Sequence, residues 1–164
     1  GAGCAAGAKY SAHCAGMSDD EYRVEFTLWS LLQSPLIVAT DVRELTPIMR
    51  EAMLNSELLA AHQSTATPPG RRLGSVDCGG LLQACAVWGR PLAPDNTTWL
   101  VALVNVGSKA NSISIGWEML GWDAARSAQV RDLWAHSDLP DATGSLAATV
   151  PSHGDAAFRL VSGG

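Results

Sequence analysis

The feature that constrains this chain most is a change of hydrophobic period across one stiff break. Thr65 to Gly74 runs Thr-Ala-Thr-Pro-Pro-Gly-Arg-Arg-Leu-Gly, a composition that interrupts helix and strand alike. Before it, apolar residues recur at helical spacing; after it, they alternate. A chain whose period changes at such a stretch is expected to divide there. The boundaries are residues 1–64 for a helical portion, 65–74 for a linker and 75–164 for a β domain.

Residues 1–17 are Gly, Ala and Ser around two cysteines, which is loop composition. Ser18-Asp19-Asp20-Glu21 then forms a capping box: the Ser18 hydroxyl accepts from the Glu21 amide and the Glu21 carboxylate reaches back to the Ser18 amide. Asp19 and Asp20 suit the positive end of the helix dipole better than they suit catalysis. Tyr22, Phe26 and Trp29 fall on one face, widened by Leu28, Leu31 and Leu32. The helix should end before Pro35, because the residue preceding proline is biased toward extended geometry. Pro35-Leu36-Ile37-Val38-Ala39-Thr40 follows, without polar alternation, and predicts a strand buried on both faces, as in a parallel sheet. Thr46-Pro47 opens a second helix with proline in the tolerated first position. A short apolar segment, Glu57 to Ala61, ends near His62. Helix, buried strand, helix is one unit of an α/β fold, and one parallel strand needs partners from elsewhere.

Beyond the linker the sequence predicts six short strands, near residues 84–88, 99–106, 111–115, 128–134, 144–150 and 156–161. Turn signals separate them, which indicates an antiparallel sandwich. This portion is expected to close a core of its own. The helical portion is expected to depend on elements outside the chain.

Composition narrows the function. A formal charge of −5 with no basic run gives a phosphate backbone nothing to bind, so no nucleic acid partner is expected. No apolar run approaches the roughly 20 residues that span a bilayer, so no membrane partner is expected. The four cysteines form two close pairs, Cys4 with Cys14 and Cys78 with Cys85. Local disulfides, free thiols and a metal site are all open readings; the spacing favours disulfides, because zinc sites use tighter steps or a nearby histidine pair. Disulfides imply an oxidising compartment, and the sequon Asn96-Thr97-Thr98 agrees with secretion.

Candidate chemistry is sparse. Asp41 and Arg43 follow the expected buried strand. Sites of parallel α/β barrels lie at strand C-termini, so these two are the best-placed candidates, in a supporting role around a site. A mutual ion pair or a turn cap is the plainer reading of both. His13, His62, His136 and His153 stand apart from any nucleophile motif, and no phosphate-binding glycine loop is present. Asp132 and Asp138 flank Trp134 and His136, but glycoside hydrolysis with retention needs two carboxyl groups about 5 Å apart across one bond. These residues do not supply such a pair.

The run Met17-Ser18-Asp19-Asp20-Glu21-Tyr22-Arg23, then Phe26-Thr27-Leu28-Trp29, then Ser34-Pro35-Leu36-Ile37-Val38-Ala39-Thr40-Asp41-Val42-Arg43 resembles the late barrel region of glycoside hydrolase family 27. That family comprises α-galactosidases (melibiases) and α-N-acetylgalactosaminidases. The likeness continues in order through Leu54 to Glu57, Ala61-His62-Gln63, Val87 to Leu92 and Val130 to Trp134. Ser64 departs from it, where the family commonly has Asp. The resemblance implies an α/β plus all-β chain: the last helix–strand–helix of a (β/α)₈ TIM barrel, followed by a C-terminal antiparallel β-sandwich domain. It implies a retaining α-galactosidase acting on terminal α-galactosides, without cofactor or metal, secreted or in a lysosome or vacuole. Its nucleophile and acid/base Asp lie on earlier barrel strands, so no catalytic residue is expected in this chain, and the chain alone should be inactive. A freestanding carbohydrate-binding or structural β-sandwich module is the alternative. Such a module should expose Trp faces along a groove, whereas a barrel fragment should expose a broad apolar patch on its helices.

Overall fold

The computed structural model describes residues 17–77 and 84–163. Helix α1 (Asp19–Leu31) starts as its capping box dictates. Ser18 Oγ accepts from Glu21 N at 3.3 Å, and Ser18 N donates to Glu21 Oε2 at 2.7 Å. Helix α2 (Pro47–Met53) is capped by Thr46, with Pro47 in its first turn. Helix α3 (Ser56–Gln63) is capped by Asn55, whose Oδ1 accepts from Glu57 N and Leu58 N. The same side chain reaches the other half of the chain, donating from Nδ2 to Leu133 O at 2.9 Å.

The expected strand at Pro35–Thr40 is absent. These residues are irregular, and Ile37 and Val38 are 77% and 54% exposed. A strand buried on both faces needs a hydrogen-bonding neighbour on each edge and a layer on each face. Nothing among the described residues pairs with this segment. Asp41 instead caps a single 3₁₀ turn, Val42–Glu44.

Among the described residues eight strands follow: β1 (Arg71–Asp77), β2 (Ala84–Pro91), β3 (Thr98–Val104), β4 (Asn111–Gly116), β5 (Ser127–Asp132), β6 (Ser137–Thr143), β7 (Ser145–Val150) and β8 (Asp155–Ser162). They form a six-stranded sheet, β1-β2-β3-β8-β5-β6, and a two-stranded sheet, β4-β7. All pairings are antiparallel. Two strands were not foreseen, and both are edges. Strand β1 begins at Arg71, inside the stretch expected to be linker, because Arg71 pairs with Gly89 and Arg72 with Trp88. Strand β6 is almost wholly exposed and contains Pro140, which a sheet tolerates at its edge.

The larger sheet is a middle layer. Strand β3 alternates between two cores: Trp99, Val101 and Leu103 face the β4-β7 sheet, while Leu100, Ala102 and Val104 face Leu31, Leu58 and Ala61 of the helices. The architecture is therefore helices, six-stranded sheet, two-stranded sheet. The helical residues expected to await outside partners have already docked one face. Leu31 and Leu58 are fully buried, each contributing about 1.5–3 kcal/mol.

The proline-rich stretch is clamped to β2. Arg90, wholly buried, donates to four carbonyls: Ala61 O at 2.6 Å, Ser64 O at 2.6 Å, Pro68 O at 3.1 Å and Thr67 O at 3.2 Å. Thr67 Oγ1 donates to Pro91 O, and Gly70 N to Leu31 O at 2.8 Å.

Candidate functional site

Asp41 and Arg43 meet as neighbours rather than as a reacting pair. Asp41 Oδ1 accepts from Arg43 N at 3.0 Å and Nε at 2.9 Å, and Oδ2 accepts from Nη2 at 2.6 Å. The guanidinium, then the backbone amide, hold the carboxyl below its usual range. The carboxylate raises Arg43 in return. Both side chains face solvent, Arg43 at 85%. A carboxylate carrying three such bonds is neutralised and oriented; it can position a neighbour but is poorly suited to accept a proton.

Next to it lies an apolar groove of about 300 Å³. Helix α1 supplies Tyr22, Phe26 and Trp29, segment 36–40 forms one wall, and Met49 and Met53 of α2 form the other. Among the described residues Glu25 is the one carboxylate lining it. A second groove, over β5, β6 and β8, is polar, with Arg131, Arg159, Asp138 and Asp141. Its Asp138 is engaged by Arg131 at 3.1 Å. Neither groove presents two unengaged carboxylates in opposition. Among the described residues no group of three or more His, Cys, Asp or Glu could hold a metal.

Tryptophan does not form a sugar platform on the sandwich. Trp99, Trp117 and Trp122 are buried in the core between the sheets. Trp117 and Trp122 meet edge to face, ring centroids 5.6 Å apart. Trp88 and Trp134 pack against the helical layer. Trp29 is 40% exposed, and it lines the helical groove.

The described histidines are structural partners. His62 Nε2 lies 2.9 Å from Ser34 O, His136 Nδ1 2.9 Å from Glu57 Oε1 and His153 Nδ1 3.3 Å from Glu21 Oε1. His13 and the expected Cys4–Cys14 pair lie outside the described residues. Cys85 is buried and disulfide-bonded; its expected partner, Cys78, also lies outside them. The sequon asparagine is occupied: Asn96 Nδ2 donates to Leu120 O at 2.9 Å, and Oδ1 accepts from Trp99 Nε1 at 2.8 Å.

Two charged features escaped the sequence. Glu57 gathers Arg131 at 2.8 Å and His136 at 2.9 Å, and Arg131 pulls its carboxyl down to about 2. Asp155 sits beneath α1, where burial pushes it up to about 6. Its Oδ2 lies 3.4 Å from Trp134 Nε1, and its Oδ1 is buried without a partner. No local pattern marks either residue, because each partner is supplied from a distant part of the chain.

Residues 83–160 match the α-galactosidase C-terminal β-sandwich domain. Alpha-galactosidase 3 of Arabidopsis thaliana is 37% identical over 142 residues, which are 84% of this chain and 31% of that protein. Among solved structures, α-galactosidase I from Mortierella vinacea superposes with a TM-score of 0.79 at 31% identity, over 89% of this chain and 36% of that one. A β-L-arabinopyranosidase from Geobacillus stearothermophilus superposes with a TM-score of 0.77 at 25% identity, over 90% of this chain and 32% of that one. The chain thus spans about a third of the length of the relatives it matches.

Proposed function

This chain belongs to glycoside hydrolase family 27 and carries the C-terminal portion of the family's fold, and we propose that it is the end of a retaining α-galactosidase that removes terminal α-linked galactose. Residues 17–64 would supply the closing helix–strand–helix of its catalytic barrel, the strand forming only beside barrel neighbours, and the β sandwich buttresses them. The nucleophile and acid/base Asp stand on barrel strands outside this chain and act by double displacement. Asp41 and Arg43 follow the segment that would be the last barrel strand, and there they would position its rim. The protein needs no cofactor and works outside the cell or in a lysosome or vacuole, which the disulfide at Cys85 supports.

One observation carries this reading: α1 is apolar on two faces. Val24, Leu28 and Leu31 turn toward the sheet, while Tyr22 and Trp29 turn to the open groove, and Phe26 touches both. A helix apolar on opposite sides belongs between two layers, and the described residues supply one of them. Segment 36–40 borders that gap with Ile37 and Val38 exposed; neighbouring parallel strands would turn it into the strand its sequence predicts. A freestanding sugar-binding module fits less well, since the sandwich keeps its aromatic faces inside. The superposition on an arabinopyranosidase supports placing sugar selection outside this portion.

The test is to express this chain joined to the coding sequence that precedes Gly1, and to follow a chromogenic α-galactoside by absorbance and the first-formed anomer by NMR. The extended protein should release α-galactose first, and the 164-residue chain should release none. Turnover by the chain alone, or a preceding sequence that encodes no barrel, would overturn the proposal.

A further inference from the structure

The sheet face that receives the helices is not covered to its end. Ala102 of β3 and Ala157 of β8 lie beneath the helical layer, but farther along β8 and across β5 the face opens into the polar groove, about 320 Å³ in volume. Two adjacent cross-strand pairs make its floor, Gln129 with Val161 and Arg131 with Arg159. Their neighbours Ala128, Val130 and Leu160 point into the core between the sheets, so alternation turns these four side chains the other way. Opposed side chains stand about 5 Å apart, and successive ones on a strand about 7 Å apart. That is a tile the size of one sugar ring. Strand β6 closes the groove through a bulge. Ala128 pairs with Ala142 and Val130 with Leu139, so Gln129 alone stands opposite both Pro140 and Asp141. A bulge re-aims the side chain beside it, and Asp141 joins the lining.

Like charges directly opposite one another destabilise a sheet, and here only one of the two arginines is relieved. Glu57 accepts from Arg131 Nε at 2.8 Å and Nη2 at 3.0 Å, and Asp138 accepts from its Nη1 at 3.1 Å. Arg131 and Asp138 are thereby fixed as a frame. Among the described residues the side chains of Gln129, Asp141 and Arg159 have no hydrogen bond or ion pair with the protein, and all three are exposed. The groove thus offers a guanidinium that only donates, a carboxylate that only accepts and an amide that does both. Its two arginines and two aspartates balance. A phosphate entering it would meet both carboxylates, and a cation both guanidiniums. A neutral polyhydroxyl ligand, whose hydroxyls donate and accept, uses every group and leaves no charge uncompensated.

We propose that this groove is a saccharide subsite that takes one neutral pyranose ring of a glycan. Gln129, Arg159 and Asp141 engage its hydroxyls, Arg131 and Asp138 hold the frame, and Val161 lies under the C–H face of the ring. The volume is at the lower end of the roughly 300–1,000 Å³ of small-molecule sites, which suits one ring rather than a long chain. Among the described residues no aromatic side chain lines the groove, so stacking adds nothing and Kd is expected on the order of 1–10 mM. The subsite is independent of the catalytic reading, because the described residues supply all of it whether or not a barrel precedes them.

Titrating the full 164-residue chain with raffinose, a neutral sugar carrying galactosyl and glucosyl rings, and following its amides by NMR tests the subsite. Amides of Gln129, Arg131, Arg159 and Val161 should shift saturably, while those of Trp29 and Ile37 in the apolar groove stay still. Arg159→Met and Asp141→Ala alter exposed side chains without a protein partner, so both should keep the wild-type Tm. Each should weaken binding about tenfold or more, the worth of one hydrogen bond to a charged group. Inorganic phosphate at the same concentration should leave the groove amides unmoved. The absence of a saturable shift with raffinose, shifts confined to the apolar groove, an affinity unchanged in either variant, or a groove that phosphate shifts as strongly as raffinose would overturn the subsite.

Discussion

Replacing Arg90 by methionine should loosen the joint between the two kinds of structure in this chain. The guanidinium is completely buried and satisfies carbonyls of Ala61, Ser64, Thr67 and Pro68 at 2.6–3.2 Å. Methionine fills much of the volume but donates nothing. Hydrogen bonds to a charged group contribute about 1.5–3 kcal/mol each, and a buried carbonyl left without a partner costs about 1–3 kcal/mol. The four do not add, because residues 64–68 lie near the surface and water can reach some of them once the chain shifts. Desolvation of the charge, which lowers the Arg90 pKa, is also relieved. The net expectation is a loss of about 2–4 kcal/mol. Arg90→Lys should lose roughly half of that, since one ammonium cannot match the planar fork. Urea denaturation measures the loss, and limited proteolysis locates it: cleavage within residues 65–70 should accelerate in the methionine variant while β3 stays intact. A methionine variant within about 0.5 kcal/mol of wild type, with the same cleavage pattern, would refute the clamp.

Three further outcomes are expected. Gly70→Ala would drive its Cβ into the buried Leu31 side chain and to 2.9 Å from Leu31 O, costing about 1–3 kcal/mol by overpacking, readable as a fall in Tm. Glu57→Gln should remove about 1–3 kcal/mol at neutral pH and reduce the stability loss expected as pH falls from 4.5 toward 2; an unchanged acid limb in the denaturation profile would contradict this. Ile37→Asp, at a residue 77% exposed in this chain, should alter its stability by less than about 0.5 kcal/mol and reduce self-association in analytical ultracentrifugation. In the barrel-containing protein the same change should cost several kcal/mol, by burying an unpaired charge.

What the sequence made legible was local. The Ser18 capping box, the Thr46-Pro47 helix start and six of the eight strands all rest on signals within a few residues of one another. The missed strands lack such signals. Strand β6 is polar and holds Pro140, and it exists because β5 offers it an edge. Strand β1 hides behind the composition of a linker and is fixed by the register of β2. The Leu36–Thr40 segment errs the other way, since its apolar run predicts a strand whose neighbours are not among the described residues. The site followed the same rule: the Asp41–Arg43 ion pair was legible at a separation of two. Glu57 with Arg131, Trp134 with Thr27 and Arg90 with Ala61 join residues far apart, and no window of sequence contains them.

The change of period at residues 65–74 therefore marks a change in local structure, and the cooperative boundary lies elsewhere. Asn55 bonds to Leu133 O, Gln33 to Ser64 O and His62 O, Glu57 to Arg131, and Arg90 to the end of α3 and the stretch after it. Each crosses the expected division or closes the approach to it. Strand β3 adds the strongest constraint, because its Leu100, Ala102 and Val104 pack in one cluster with Leu31, Leu58 and Ala61 of the helical layer. Removing that layer would bare the middle of a sheet, and apolar sheet surface invites association. The helices and the sandwich should then unfold together, and the weak boundary shifts to the other side of α1, where Trp29 and Ile37 meet solvent. A helix buried on one flank and bare on the other suits the proposed role of the sandwich as a buttress: it would fix the last elements of a barrel from outside and leave their inner face free for that barrel's other strands.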